Sequence, residues 1–256
     1  MKFKYFRITV LLLVLAWVVA DQMVSNDLVS DWGVPLKIVI YPINADGSEA
    51  STKHIEQLKK DSFVGINKVL QREGRRYDID LKHAVIFDLS DEIESVPPSP
   101  PKTASIPKII LWSLQLRFWV WKNDNYDGAH TDIKVFALFF DPAISPVLGH
   151  STGLEKGHVA LVNAFAHAQA EPQNNFVILH EILHTLGATD KYDLATNLPH
   201  YPDGFAEPNR RPLYPQRYAE VMGGRIPQSK NTAEMPEQLK QAIIGPKTAA
   251  EIGWRK

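Results

Sequence analysis

The chain has 256 residues, 45% of them hydrophobic and 22% charged, and a formal net charge of −1. That balance suits one globular domain with a sizeable core. A near-neutral chain with no basic, aromatic-interleaved stripe argues against a nucleic-acid partner. There is no cysteine, which excludes disulfides, thiolate metal sites and a cysteine nucleophile.

Lys2, Lys4 and Arg7 precede the apolar run ITVLLLVLAWVVA at 8–20, and Asp21 ends it. A basic flank before a short apolar run is the pattern of a secretory signal, and the run is short for a full span. Residues 1–24 therefore read as a signal peptide or an uncleaved signal anchor. Both readings carry the rest of the chain across a membrane, to be secreted (periplasmic or extracellular) or anchored through residues 8–20.

One folded domain is expected over 35–256. PLKIVIYPI (35–43) is β-branched and apolar and reads as a strand. The apolar spacing over 51–74 predicts one long amphipathic helix, capped by Ser51 or Thr52 and ended by Gly74. The cluster REGRR (72–76) reads as its solvated end. HAVIFDLS (83–90) is a second strand, and 94–107 is a proline-rich connector. KIILWSLQLRFWVWK (108–122) carries three tryptophans and reads as a buried helix. Strands follow at 132–141 and 157–166. This order predicts an α/β fold with a mixed, twisted sheet. Beyond residue 187, proline and turn residues dominate, so the expected division is a lobe over about 35–187 and an irregular lobe over about 188–256. A last helix over 246–254 would start at Pro246.

The segment NNFVILHEILHTLG (174–187) reads as a mostly buried helix, capped by Asn174 or Asn175 and ended by Gly187 in a left-handed conformation. His180 and His184 lie one turn apart on its one polar face, close enough to share a metal ion. Glu181 is beside them, placed to take a proton from a water on the metal without being a ligand. A catalytic zinc takes a third protein ligand and keeps one position open. The turn at Gly187 lets Asp190 return to it. Two histidines and a glutamate in an apolar helix are poorly explained as core residues, since unpartnered buried charge is costly.

The pattern His180, Glu181, His184, Gly187, Asp190 resembles the HExxHxxGxx(H/D) motif of metzincin zinc metallopeptidases. The sequence AEVMGG (219–224) resembles their methionine turn. The aspartate in third place is similar to the snapalysin branch. The resemblance implies a zincin-like fold with an active-site helix and an irregular C-terminal lobe. It implies Zn2+ held by His180, His184 and Asp190, Glu181 as catalytic base and then proton donor, and Met222 as a floor beneath the metal. It also implies that the 157–166 strand is the sheet edge that pairs with an extended peptide substrate. Asp193 and His200 are alternative third ligands. Several metzincins carry a tyrosine two residues after the methionine. Gly224 stands there in this chain, leaving Tyr192 or Tyr218 as substitutes. Glu207 is not in a helical context, as a gluzincin ligand would be, and His150, His158 and His167 read as surface or loop residues rather than a second metal site.

Two functions are compatible with these residues. One is an exported zinc metalloendopeptidase acting on peptide or protein substrates. The other is a non-catalytic, zinc-stabilised binding module displayed at a membrane, for which an intact Glu181 would be unnecessary.

Overall fold

The computed structural model describes residues 5, 9, 32, 34–79, 81, 85–101, 105–128 and 130–255. Apart from residues 5 and 9, the expected N-terminal signal or anchor lies outside them. Among the described residues, no helix is long and apolar enough to cross a membrane.

The chain is a mixed α/β protein. Strands β1 (Leu36–Asn44), β2 (Val85–Leu89), β3 (Ile133–Phe140), β4 (Thr152–Leu154) and β5 (Val159–Phe165) form one sheet in the order β2-β1-β3-β5-β4. β2, β1, β3 and β5 pair in parallel and only β4 runs antiparallel. The near-continuous apolar runs of β1, β3 and β5 follow from burial on both faces. Alternation sends Ile38 and Ile40 to one core, and Val39, Tyr41 and Ile43 to the other.

The first core lies under helices α1 (Glu49–Gln57), α2 (Val64–Arg75) and α4 (Glu171–Thr185). The single helix expected over 51–74 is instead α1 and α2, separated by an extended Leu58 and a tight turn over Lys60–Phe63. Ile55 before the break and Phe63 after it are both buried in the core on this face of the sheet, at 7% and 2% exposure. Ser48, not Ser51 or Thr52, caps α1, its hydroxyl accepting from the Ser51 amide at 3.1 Å. Ser51 is buried and donates to Asp46. Gly74 does not end α2 through its conformation. It is buried where a Cβ would meet Leu81.

The REGRR cluster is not merely solvated. Glu73 is fully buried, paired with Arg72 and Arg76, and accepts from the Ile244 amide at 3.0 Å. Arg72 donates to the carbonyls of Lys240 and Ala242. This end of α2 therefore holds the C-terminal lobe.

Helix α3 (Ile106–Asn123) covers the other sheet face. It is not the buried helix expected from its composition. Only Trp112, Leu116 and Val120 are buried, because a single helical layer packs there and nothing described lies outside it.

A further correction concerns the sheet edge. The strand over 157–166 exists as β5, but the loop after β3 returns as β4 and covers it. The edge is β4. The C-terminal lobe contains two small sheets, β6 (Ala219–Glu220) beside β9 (Ala242–Ile243) and β7 (Ile226–Pro227) beside β8 (Ala233–Glu234), and ends in α5 (Pro246–Glu251), which starts at Pro246 as expected.

Candidate metal centre

Helix α4 begins at Glu171, with Pro172 in its first turn, earlier than the asparagine cap expected. Asn174 and Asn175 have other work. The Asn174 amide group both accepts from the Phe165 amide and donates to its carbonyl, at 3.0 and 2.9 Å, fixing α4 against the end of β5. Asn175 donates to the Ser62 carbonyl at 2.7 Å. Gly187 ends the helix at φ +95°, a region glycine enters without steric cost, and the chain doubles back toward the histidine face.

That return brings three ligand atoms together. His180 Nε2 and His184 Nε2 are 3.1 Å apart, and Asp190 Oδ1 lies 3.2 Å from the first and 3.1 Å from the second. Among the described residues this is the group of His, Asp and Glu side chains that could hold a metal ion. The other ring nitrogens fix the tautomers. His180 Nδ1 donates to the Val221 carbonyl and His184 Nδ1 to the Ala188 carbonyl, both at 2.8 Å. A carbonyl only accepts, so Nδ1 carries the proton and each Nε2 presents a lone pair. Three lone-pair atoms thus converge with no proton between them, an arrangement that a cation stabilises. Tetrahedral ligands at about 2.0–2.1 Å from a shared ion stand about 3.3–3.4 Å apart, close to the observed triangle.

Glu181 is 5% exposed, and its Oε2 is buried with no hydrogen-bond partner. Burial pushes its pKa up. β4 covers it closely. A Cβ on Gly153 would stand 2.5 Å from the Glu181 carbonyl and from His184 Cβ, and 3.2 Å from Glu181 Oε2. Only glycine lets this edge strand lie against the helix at the site.

Asp190 is braced from both sides. Glu251 of α5 accepts from the Thr189 amide and hydroxyl at 3.0 and 2.8 Å and from Lys191 Nζ at 2.7 Å. Lys191 is 3% exposed, and its amide donates to the Met222 carbonyl at 2.8 Å. Met222 is fully buried in the turn Val221–Gly223, whose first carbonyl orients His180. The buried Glu220 holds that turn by accepting from the Gly223 amide at 2.8 Å, the Gly245 amide at 3.0 Å and the Thr248 hydroxyl at 2.7 Å. Glu220 and Glu251 carry no motif signal. Only their partners, distant in sequence, identify them.

The alternative ligands are elsewhere. Asp193 Oδ1 is committed to its own turn, accepting from the Ala195 amide and from the Thr196 amide and hydroxyl. His200 is outside the ligand group. Glu207 is tied to Arg217 and Arg210. Of the two tyrosines, Tyr192 lines the cleft with Glu181 and Asp190, and its ring is 6.0 Å from that of His180. Tyr218 lies under Arg217 instead. Burial, then Asp190 and Glu181, push the Tyr192 phenol up to about 12. Among the loop histidines, His167 is exposed and His150 lines the cleft. His158 is not a surface residue. It is 5% exposed, and its Nδ1 donates to the Thr185 carbonyl at 2.9 Å.

The metal group lines one cleft, and a second cleft adjoins it through His180, Glu181 and Tyr192. The second, of about 470 Å³, passes Phe176, Val177, Glu181, Tyr192 and Arg225. The first, of about 360 Å³, runs along Thr152 and Gly153 past His184 and Asp190. No family model and no curated protein matches the chain.

Proposed function

We propose that the protein is an exported zinc metalloendopeptidase of metzincin type. The observation that carries this reading is the unpartnered, buried Oε2 of Glu181 beside three converging ligand atoms. A structural metal site has no use for such a group, whereas hydrolysis needs a base there. Two imidazoles and one carboxylate at tetrahedral spacing suit zinc in a site with an open position.

When bound, the metal supplies Lewis acidity toward a water and a peptide carbonyl. Glu181 takes the attacking water's proton on Oε2 and returns it to the leaving amine. Burial makes this carboxylate a stronger base than an exposed one. Tyr192 remains protonated at neutral pH and is available to donate a hydrogen bond to the developing oxyanion. The free edge of β4, rather than β5, offers an extended peptide main-chain pairing beside Glu181. The adjoining clefts leave room for a chain to run past the metal group, which suits an endopeptidase.

The test joins metal analysis to cleavage of a broad peptide library with and without chelator, on the wild type and Glu181→Gln. The expected result is one zinc-dependent activity that the substitution lowers by about 10²–10⁴-fold while the metal stays bound. A zinc-loaded wild type that cleaves nothing would instead favour a non-catalytic, metal-stabilised binding module at the membrane. Loss of zinc from Glu181→Gln would make the glutamate a ligand.

A further inference from the structure

Helix α3 has two apolar faces. Its inner stripe, Trp112, Leu116 and Val120, packs on the sheet. Its outer side presents Ile106, Ile110, Leu111, Leu114, Phe118 and Trp121, each at least 43% exposed, with Ile106 at 72% and Trp121 at 71%. At about 100° per residue the two sets lie on opposite sides of the axis. Soluble monomers rarely expose so continuous an apolar strip. The charges on the helix all have one sign. Lys108 and Lys122 border the strip on one side, Arg117 stands between Ile106 and Ile110 and donates to the Lys156 carbonyl at 3.2 Å, and the helix Ile106–Asn123 contains no acidic residue. The acid that follows, Asp124, is paired with Lys134 at 2.5 Å.

We infer that the outer face of α3 docks on an anionic lipid bilayer, lying in the interface plane. A helix with an apolar, aromatic face and a cationic border settles about 5–10 Å into the headgroup boundary, with its lysines on the lipid phosphates. A second copy of the chain fits less well. A two-fold contact would set these cations against the same cations of the partner. As an uncleaved anchor, the apolar run 8–20 would also tether the domain, since residues 21–31 span at most about 36 Å, less than the breadth of about 47 Å of a domain of this size. Because α3 and α4 pack on opposite faces of the sheet, docking through α3 points the metal centre away from the bilayer. The inference does not depend on the site being a peptidase.

The absence of cysteine makes the test direct. Single-cysteine versions of the full chain, Ile110→Cys and Phe118→Cys, carry a nitrobenzoxadiazole label. Glu56→Cys on α1, beyond the opposite sheet face, serves as the control. All three sites are exposed, so folding is little disturbed. The labelled chains are mixed with phosphatidylcholine vesicles, with and without phosphatidylglycerol, containing doxyl-lipid quenchers. The two α3 labels are expected to shift to the blue and be quenched, more strongly with phosphatidylglycerol, while the α1 label is not. Lys108→Gln with Lys122→Gln is expected to raise the lipid concentration needed for half-maximal quenching about tenfold or more. Equal quenching at α1 and α3, or none at α3 in vesicle-bound chain, overturns the proposal. So does a lipid-free dimer by sedimentation that Phe118→Glu disperses, since the face would then belong to a second copy.

Discussion

At the residue scale, the site depends on the placement of one carboxylate. Asp190 closes the triangle with His180 and His184, whereas Asp193 spends its oxygen on its own turn and His200 stands apart. Asp190→Ala should therefore lower zinc occupancy strongly, and Asp193→Ala and His200→Ala only slightly, as read by metal analysis after dialysis against a weak chelator. Stripping of the metal by Asp193→Ala alone would show that the ligand set is different. Glu251 makes a finer case. It touches none of the ligand atoms but clasps Thr189 and Lys191 on either side of Asp190. Glu251→Ala should weaken metal binding by about 10–100-fold, the usual cost of losing an outer-shell partner, measured by competition with a chromophoric chelator. Unchanged affinity in a folded variant would mean that Asp190 is held without it.

At the element scale, the contact between β4 and α4 assembles the site. β4 is only Thr152–Leu154, yet its central glycine lies where a methyl group would collide with the Glu181 carbonyl and His184 Cβ. Gly153→Ala should push the edge strand off the helix. Overpacking of this kind costs about 1–3 kcal/mol, to be read from denaturant unfolding, and cleavage should fall further than stability alone explains. A variant with wild-type stability and wild-type cleavage would show that the strand adapts freely. Helix α3 shows the limit of composition as a guide to burial. Its residues are apolar on nearly every side, but only Trp112, Leu116 and Val120, on the side facing the sheet, are buried.

At the scale of the whole molecule, the metal group ties the chain before Gly187 to the chain after it. The histidines belong to α4 and Asp190 to the segment beyond Gly187. The same two stretches are also joined by Glu73, which accepts from the Ile244 amide, and by His180, which donates to the Val221 carbonyl. An ion bound only by the folded state adds about 2.7 kcal/mol at one hundred times its dissociation constant. For a chain of this size that corresponds to a Tm shift of about 5–10 °C. Calorimetry with zinc and then with excess chelator should show that drop, and Asp190→Ala should abolish the difference. An identical Tm in both conditions would separate metal binding from the joining of the two stretches.

The grouping of His180, His184 and Asp190, the position of Glu181 beside them and the turn at Gly187 were legible in the sequence because they are local. One helical turn fixes the relation of His180 to His184, and a glycine with positive φ fixes how the chain leaves. The apolar strands and the mixed α/β class were legible for the same reason, since alternation and run length act over a few residues. What joins distant segments was not. The break between α1 and α2 follows from where the sheet lies beneath them, and β4 replaces β5 as the edge because a loop folds back on it. Glu251, Glu220 and Glu73 became visible only through partners far along the chain, and Tyr192 was separated from Tyr218 only by position. Burial was decided last. Whether an apolar face is covered depends on what packs against it, so α3 needed the tertiary structure to show which of its faces remains open.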